Sequence, residues 1–128
     1  MLRLVALLTI LVIIMSLGAC VREPVNLSEE DAGRTAELRA GDRLEVVLNG
    51  NPTTGYRWGV ASVDPAVLRQ FGEPEFKPDT KAIGSGGKVI LRFEAAAPGQ
   101  TVLQLIYHRT WEKGIPPVKT FEVTVVVK

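Results

Sequence analysis

One segment near the middle of the chain carries more chemical groups than a connection between two strands needs. It comprises Asn51, Pro52, Thr53, Thr54, Gly55 and Tyr56. Asn, Pro and Gly are typical turn residues, but no turn type requires two adjacent threonines. Thr53 and Thr54 place two hydroxyls and two methyls at a loop tip, and Pro52 restricts the backbone before them. We therefore regard this segment as the first candidate site.

A second candidate segment contains three glycines in four residues. It comprises Gly84, Ser85, Gly86 and Gly87. Such backbone adopts unusual dihedrals and permits close approach by another main chain, so it predicts a flat surface that pairs with an extended strand. A plain flexible turn is the alternative. The segment lacks the lysine–hydroxyl pair of a phosphate loop and the Gly-x-Ser-x-Gly frame of a nucleophile elbow.

A third candidate segment joins a cation to a large aromatic ring. It comprises Arg109, Thr110 and Trp111. Large aromatic residues usually lie in a core, whereas an exposed Trp beside an Arg is a common interface anchor. The spacing leaves both alternatives open for Trp111. Trp58 differs, because it alternates with polar residues and shares a face with Tyr56 and Val60, which predicts a core position.

No residue set in the chain predicts catalysis. His108 is the single histidine, and no serine, cysteine or carboxylate stands in an evident arrangement with it, which favours a structural role. The carboxylates are scattered and show no metal-ligand spacing. We therefore expect no enzymatic activity, no metal and no cofactor.

The N-terminus has the pattern of an export signal. Arg3 precedes the apolar run Leu4–Met15, which is shorter than the roughly 20 residues of a membrane span. Gly18 and Ala19 then precede Cys20, and this order resembles the bacterial lipobox, in which the cysteine is acylated. We expect lipidation of Cys20 and a lipid-anchored protein of the bacterial cell envelope that faces the periplasm or the exterior. An uncleaved signal anchor is the alternative.

Charge and cysteine content limit the possible partners of the domain. The expected segments are a signal peptide at residues 1–19, a lipidated tether at 20–26 and a domain at 27–128. Without Arg3 the chain has 14 basic and 14 acidic side chains. This balance makes nucleic acid an unexpected partner. Because the one cysteine would carry lipid, the fold has no disulfide and depends on a packed core.

Alternating apolar and polar residues predict strands throughout the domain. Six to eight strands with frequent turn signals predict an all-β fold, an immunoglobulin-like antiparallel β-sandwich. The interval Val67–Phe76 predicts an irregular strand with Leu68 and Phe71 buried. Long loops are expected at Lys77–Gly87 and His108–Pro117, and the spacing permits all three candidate segments to emerge at one end.

Taken in order, the three segments resemble the motifs of the chagasin family of cysteine peptidase inhibitors. Those motifs are NPTTG, GxGG and a third that commonly reads Arg-Pro-Trp. The resemblance extends from about Leu27 to Val127. Thr110 stands where the family usually has proline, which removes a backbone constraint beside Trp111. We expect this departure to affect affinity or target range and not the fold.

The resemblance implies a wedge of three loops that enters the active-site cleft of papain-like cysteine peptidases. Thr53 and Thr54 would touch the catalytic cysteine and histidine. The Gly84–Gly87 backbone would pair with the enzyme on one side, and Arg109 and Trp111 would pack on the other. Inhibition would be reversible and competitive, by a monomer. The alternative is a non-inhibitory envelope module that keeps the sandwich and binds another partner.

Overall fold

The computed structural model of the chain describes residues 22–128. The predicted signal peptide and Cys20 lie outside these residues. Within them, no helix has the length and apolar character needed to cross a membrane. The described strands are β1 Val25–Ser28, β2 Thr35–Leu38, β3 Arg43–Gly50, β4 Arg57–Ser62, β5 Leu68–Gln70, β6 Glu75–Pro78, β7 Gly87–Ala95, β8 Gly99–His108 and β9 Lys119–Val127.

The strands form two sheets. One has the order β1-β3-β7, with β5 and β6 both pairing the far side of β7, and the other has the order β2-β9-β8-β4. The predicted all-β sandwich is therefore confirmed, with more strands than expected. Two short 3-10 turns lie between strands: Glu29–Asp31 between β1 and β2, and Pro52–Thr54 between β3 and β4. β1 also takes in the last two residues of the segment expected to be a tether.

Both sheets are mixed, because each contains one parallel pair among the expected antiparallel pairs. β1 pairs β3 in parallel, and β2 pairs β9 in parallel. The chain crosses from one sheet to the other at β2 and returns at β3, so β1 and β3 run in the same direction. Parallel and antiparallel strands show the same alternation of side chains, and the sequence pattern could not distinguish them.

The core lies between the inner faces of the two sheets. Its fully buried members come from β3, β5, β7, β8 and β9, and include Leu44, Val46, Leu48, Leu68, Leu91, Phe93, Leu103, Leu105, Val123 and Val125. Trp58 is 6% exposed, so its predicted core position is confirmed. Burial of these side chains supplies the main driving force for folding, at roughly 25 cal/mol per Å² of apolar surface.

The interval Val67–Phe76, predicted as one irregular strand, contains β5 and the start of β6, which are separated by a short connection. Phe71 is 41% exposed, so the prediction that it is buried is wrong. It follows β5 on the outer side of the sheet, where the Arg43 guanidinium lies 3.9 Å from its ring centre. β6 extends to Pro78, so the first two residues of the predicted long loop belong to a strand.

Strand register brings the three candidate segments to one end of the sandwich. Gly50 at the end of β3 is paired with Gly87 at the start of β7. Arg57 at the start of β4 is paired with His108 at the end of β8. The connections β3–β4, β6–β7 and β8–β9 therefore emerge together. We refer to this end, formed by residues 51–56, 79–86 and 109–118, as the loop pole.

Candidate functional site

The Asn51 loop is a single 3-10 turn closed by its own side chains. The Asn51 Oδ1 accepts hydrogen bonds from the backbone N–H and the hydroxyl of Thr53, at 3.1 and 2.5 Å. The Thr54 hydroxyl donates to the Asn51 carbonyl at 2.6 Å. Both threonines therefore stabilise the turn as well as standing exposed at its tip with Pro52. This internal role of the two hydroxyls is not evident from the sequence pattern.

Gly55 lets the Trp111 ring pack against the Asn51 loop. Its φ is +82°, and a Cβ built on it would lie 2.3 Å from Trp111 Cη2. A side chain at position 55 would therefore displace the indole. Trp111 remains 66% exposed, so the core alternative for this residue is wrong. One part of the ring rests on Gly55 and the rest is free for a partner.

Asn51 also connects its loop to the glycine-rich loop. Its Nδ2 donates a hydrogen bond to the Gly84 carbonyl at 3.1 Å. Gly84 has φ of +81° and open space around it, so the turn itself requires glycine. At Gly87 a Cβ would lie 2.1 Å from the Lys77 carbonyl, because β6 pairs alongside β7 there. Ser85 donates its hydroxyl to the Gly86 carbonyl at 2.9 Å.

Arg109 connects the Asn51 loop to the third loop. Its Nε donates to the Thr54 carbonyl at 3.1 Å. Its guanidinium lies 4.4 Å from the Tyr56 ring centre, a favourable cation–π distance. Glu112 holds the other side of the guanidinium, with Nη1 and Oε1 3.2 Å apart. Thr110 is exposed, in the turn closed by the hydrogen bond from the Glu112 N–H to the Arg109 carbonyl at 3.2 Å.

Buried aromatic rings fix the base of the Asn51 loop. The Tyr107 hydroxyl accepts from the Asn51 N–H at 2.9 Å, and Trp58 Nε1 donates to the Asn49 carbonyl at 2.9 Å. The Tyr107 ring stacks on Trp58 and also contacts Tyr56, with ring centres 5.1 and 5.4 Å apart. The apolar bodies of these rings fill the core while their polar ends hold the loop.

A second group, not anticipated from the sequence, supports the loop pole from the N-terminal side. Both carboxylate oxygens of Glu29 accept hydrogen bonds from Asn49, one from its backbone N–H and one from its Nδ2, each at 2.9 Å. The Asn49 Oδ1 accepts from the Lys88 ammonium. Asn49 and Lys88 lie at the bases of the first and second loops, in β3 and β7. Twenty positions separate Glu29 from Asn49, and no local pattern signals the contact.

The loop pole offers contact surface and no catalytic arrangement. His108 is half-buried at the end of β8, beside Gly59. In residues 22–128, no cluster of His, Cys, Asp and Glu has the geometry to hold a metal ion. The exposed groups include the tip of the Asn51 loop, the Gly84 backbone and the Trp111 ring. Their chemistry suits binding to another protein.

Comparison with known proteins agrees with this description. The family model described as the chagasin family peptidase inhibitor I42 matches residues 37–125. Amoebiasin-1 of Entamoeba histolytica is 31% identical over 90 residues, which are 68% of this chain and 84% of amoebiasin-1. Chagasin of Trypanosoma cruzi is 30% identical over 83 residues, covering 62% of this chain and 76% of chagasin.

A solved structure shows the same fold. The crystal structure of the cysteine protease inhibitor EhICP2 from Entamoeba histolytica superposes with a TM-score of 0.72 at 24% identity, covering 81% of this chain and 95% of EhICP2. The family match spans β2 to β9 and includes all three loops. The chain therefore belongs to the chagasin family of peptidase inhibitors and is not an enzyme.

Proposed function

We propose that this protein is a reversible, competitive inhibitor of papain-like cysteine peptidases, and that the loop pole enters the active-site cleft. The observation that carries the proposal is the linkage of the three loops into one surface. Asn51 joins the first loop to the second through the Gly84 carbonyl, and Arg109 joins the first to the third through the Thr54 carbonyl. An active-site cleft that binds one of these loops would therefore contact all three.

The Asn51 loop is built to occupy an active site without being cleaved. Three of its carbonyl oxygens are already engaged: Asn51 accepts from Thr54, Pro52 from the Gly55 N–H, and Thr54 from Arg109. The turn is curled, so its peptide bonds are not presented in the extended form of a substrate. A papain-like nucleophile is a thiolate beside an imidazolium, and the exposed Thr53 hydroxyl offers that pair a polar partner.

The internal hydrogen bonds support tight binding because they fix the loops before the enzyme arrives. Ordering a flexible side chain on association costs about 0.5–1.5 kcal/mol, and a loop held by its own contacts avoids much of this. Thr110 lacks the backbone constraint of proline. The turn closed by Glu112, the ion pair of Arg109 and the packing of Trp111 on Gly55 provide other constraints. We infer that the third loop keeps its shape.

Anchoring through a lipid on Cys20 would leave the loop pole facing away from the membrane. Arg22 is the first described residue, and its guanidinium pairs with Asp42 at 3.2 Å. Asp42 precedes β3, and the loops follow the end of that eight-residue strand, roughly 25 Å away at about 3.3 Å per residue. We propose a monomeric inhibitor held at the cell envelope in this orientation.

The test of function is an inhibition constant for residues 20–128 carrying Cys20→Ser, measured against papain and several related peptidases. We expect competitive inhibition that is weakened at least about tenfold by Thr53→Ala combined with Trp111→Ala, because interface anchors carry most of the binding energy. Absence of inhibition across the whole panel would favour the non-inhibitory module. Incorporation of labelled palmitate into the full chain, lost in Cys20→Ser, tests the anchor separately.

A further inference from the structure

The exposed apolar side chains of residues 22–128 are concentrated at the loop pole. Six large apolar residues are strongly exposed in this part of the chain. Four of them lie in the second and third loops: Ile83, Trp111, Ile115 and Val118. The two others are Phe71, which Arg43 covers, and Val102 on the outer face of β8. Exposed apolar surface gathered in one place marks an interaction site.

Ile115 and Val118 extend this surface beyond the family motifs. Both follow Trp111 in the β8–β9 connection, and they are 59% and 57% exposed. Neither belongs to any of the three motif segments. They are also distinct from the core residues of β9, which begin at Phe121. The role of these two side chains is therefore not explained by packing or by the three-loop surface.

The backbone holds these two side chains outward. Pro116 and Pro117 lie between them and fix two φ angles near −65°, and a residue before proline, here Ile115, favours extended conformations. The Val118 N–H donates to the Tyr107 carbonyl at 3.1 Å, which ties the segment to the end of β8. Tyr107 is the residue whose hydroxyl holds Asn51. Tyr107 therefore holds both the segment that carries Ile115 and Val118 and the Asn51 loop.

We propose that Ile115 and Val118 form a fourth contact, packing on an apolar strip of the target peptidase beside its cleft, on the Trp111 side. This inference rests on the proposed function. Continuity with Trp111 in the same loop identifies the occupant as the peptidase that Trp111 would contact. Because the strip lies outside the catalytic centre, the contact selects among papain-like enzymes that share the same catalytic groups.

The experiment compares Ile115→Ser combined with Val118→Ser against a matched control, Val102→Ser, in the form of the protein that carries Cys20→Ser. Val102 is an exposed valine, 40% accessible, outside the loop pole. We expect the double variant to raise the inhibition constant by about ten- to thirtyfold against the most tightly bound enzyme, from the apolar area buried. The control should change the inhibition constant less than about twofold. The order of the enzymes, ranked by inhibition constant, should change in the double variant only.

Several outcomes distinguish the alternatives. An unchanged inhibition constant and ranking in the double variant would overturn the fourth contact while leaving the proposed function intact, whereas a wild-type protein that inhibits nothing fails the proposed function itself. If wild type sediments as a dimer and the double variant as a monomer with the same inhibition constant, a second copy is the occupant. Melting temperatures and the single variant Ile115→Ser control for folding, because the Ile115 side chain is 59% exposed and lies outside the core.

Discussion

The Nε of Arg109 donates a hydrogen bond to the Thr54 carbonyl at 3.1 Å, although 55 positions separate the two residues. The bond joins the central loop to the third loop, and the same guanidinium rests on the Tyr56 ring. Arg109 is therefore part of the internal framework of the loop pole. The family resemblance alone implies only that Arg109 packs against the enzyme.

Arg109→Ala removes this connection, and we expect it to weaken inhibition of papain by about tenfold or more. A hydrogen bond to a charged group contributes roughly 1.5–3 kcal/mol, and a loosened third loop adds an ordering cost on binding. The matched control is Arg69→Ala, which breaks the ion pair with Glu94 on β7, away from the loops. Equal inhibition by wild type and both variants would contradict the role of Arg109.

Asn51→Asp isolates the bond between the first two loops. The aspartate keeps an oxygen that accepts from Thr53, but it replaces the Nδ2 donor with an oxygen that faces the Gly84 carbonyl. We expect faster amide hydrogen exchange at residues 84–87 and an inhibition constant raised by up to about tenfold, since a typical hydrogen bond contributes roughly 0.5–1.5 kcal/mol and the carboxylate repels the carbonyl. Asn51→Ser, which caps without charge, should show the same loosening. Unchanged exchange in both variants would contradict the linkage.

Gly55→Ala tests the contact between Gly55 and Trp111. The new methyl would lie 2.3 Å from the indole at a backbone φ of +82°. The control is Gly72→Ala, where φ is +71° and no atom lies within 4 Å. Both substitutions introduce strain of about 1–2 kcal/mol, but only Gly55→Ala must displace Trp111. We expect a shift in tryptophan emission and weaker inhibition for that variant alone; identical behaviour of the two would contradict the contact.

Asp42 gives the domain a predictable dependence on acid. Its carboxylate accepts from the Arg39 N–H at 2.9 Å and pairs with Arg22, and these contacts hold the pKa of Asp42 below its ordinary value of 3.8. The stabilisation is present above that ordinary value and is lost as the pH falls through the lower pKa of the folded state. Asp42→Asn should therefore lower the melting temperature at pH 7, and the difference from wild type should shrink in strong acid.

The control for Asp42 is Glu73→Gln, an exposed carboxylate in the β5–β6 connection. It should leave the melting temperature nearly unchanged at both pH values, as isolated surface substitutions usually do. A melting difference for Asp42→Asn that stays constant from pH 7 into strong acid would show that charge at this position does not stabilise the fold.

Much of the fold could be predicted because period-two alternation reports directly on burial. Leu44, Val46 and Leu48 on β3, and the matching series on β8 and β9, lie in the core as the pattern indicates. The parallel pairs could not be predicted, because alternation does not encode strand direction. The predicted burial of Phe71 is wrong because an aromatic residue next to a strand end can be covered by a cation, here Arg43, instead of entering the core.

The candidate site, like the fold, could be predicted only in part from the sequence. The three segments stand out through residue types rarely needed in connections, and register places them together. The supporting contacts do not stand out, because Glu29, Asn49 and Lys88 are ordinary polar residues that meet only in the folded chain. The internal use of the Thr53 and Thr54 hydroxyls is likewise a property of the turn geometry.

In the proposed complex, the Asn51 loop covers the catalytic cysteine of a papain-like peptidase. The most direct measurement is the rate at which iodoacetamide alkylates that cysteine in papain, with and without a saturating amount of residues 20–128 carrying Cys20→Ser. We predict a decrease of at least about tenfold, because a thiolate that is covered cannot react. If papain activity toward substrates is blocked while the alkylation rate is unchanged, the loop pole does not occupy the active site and the proposed mode of inhibition is wrong.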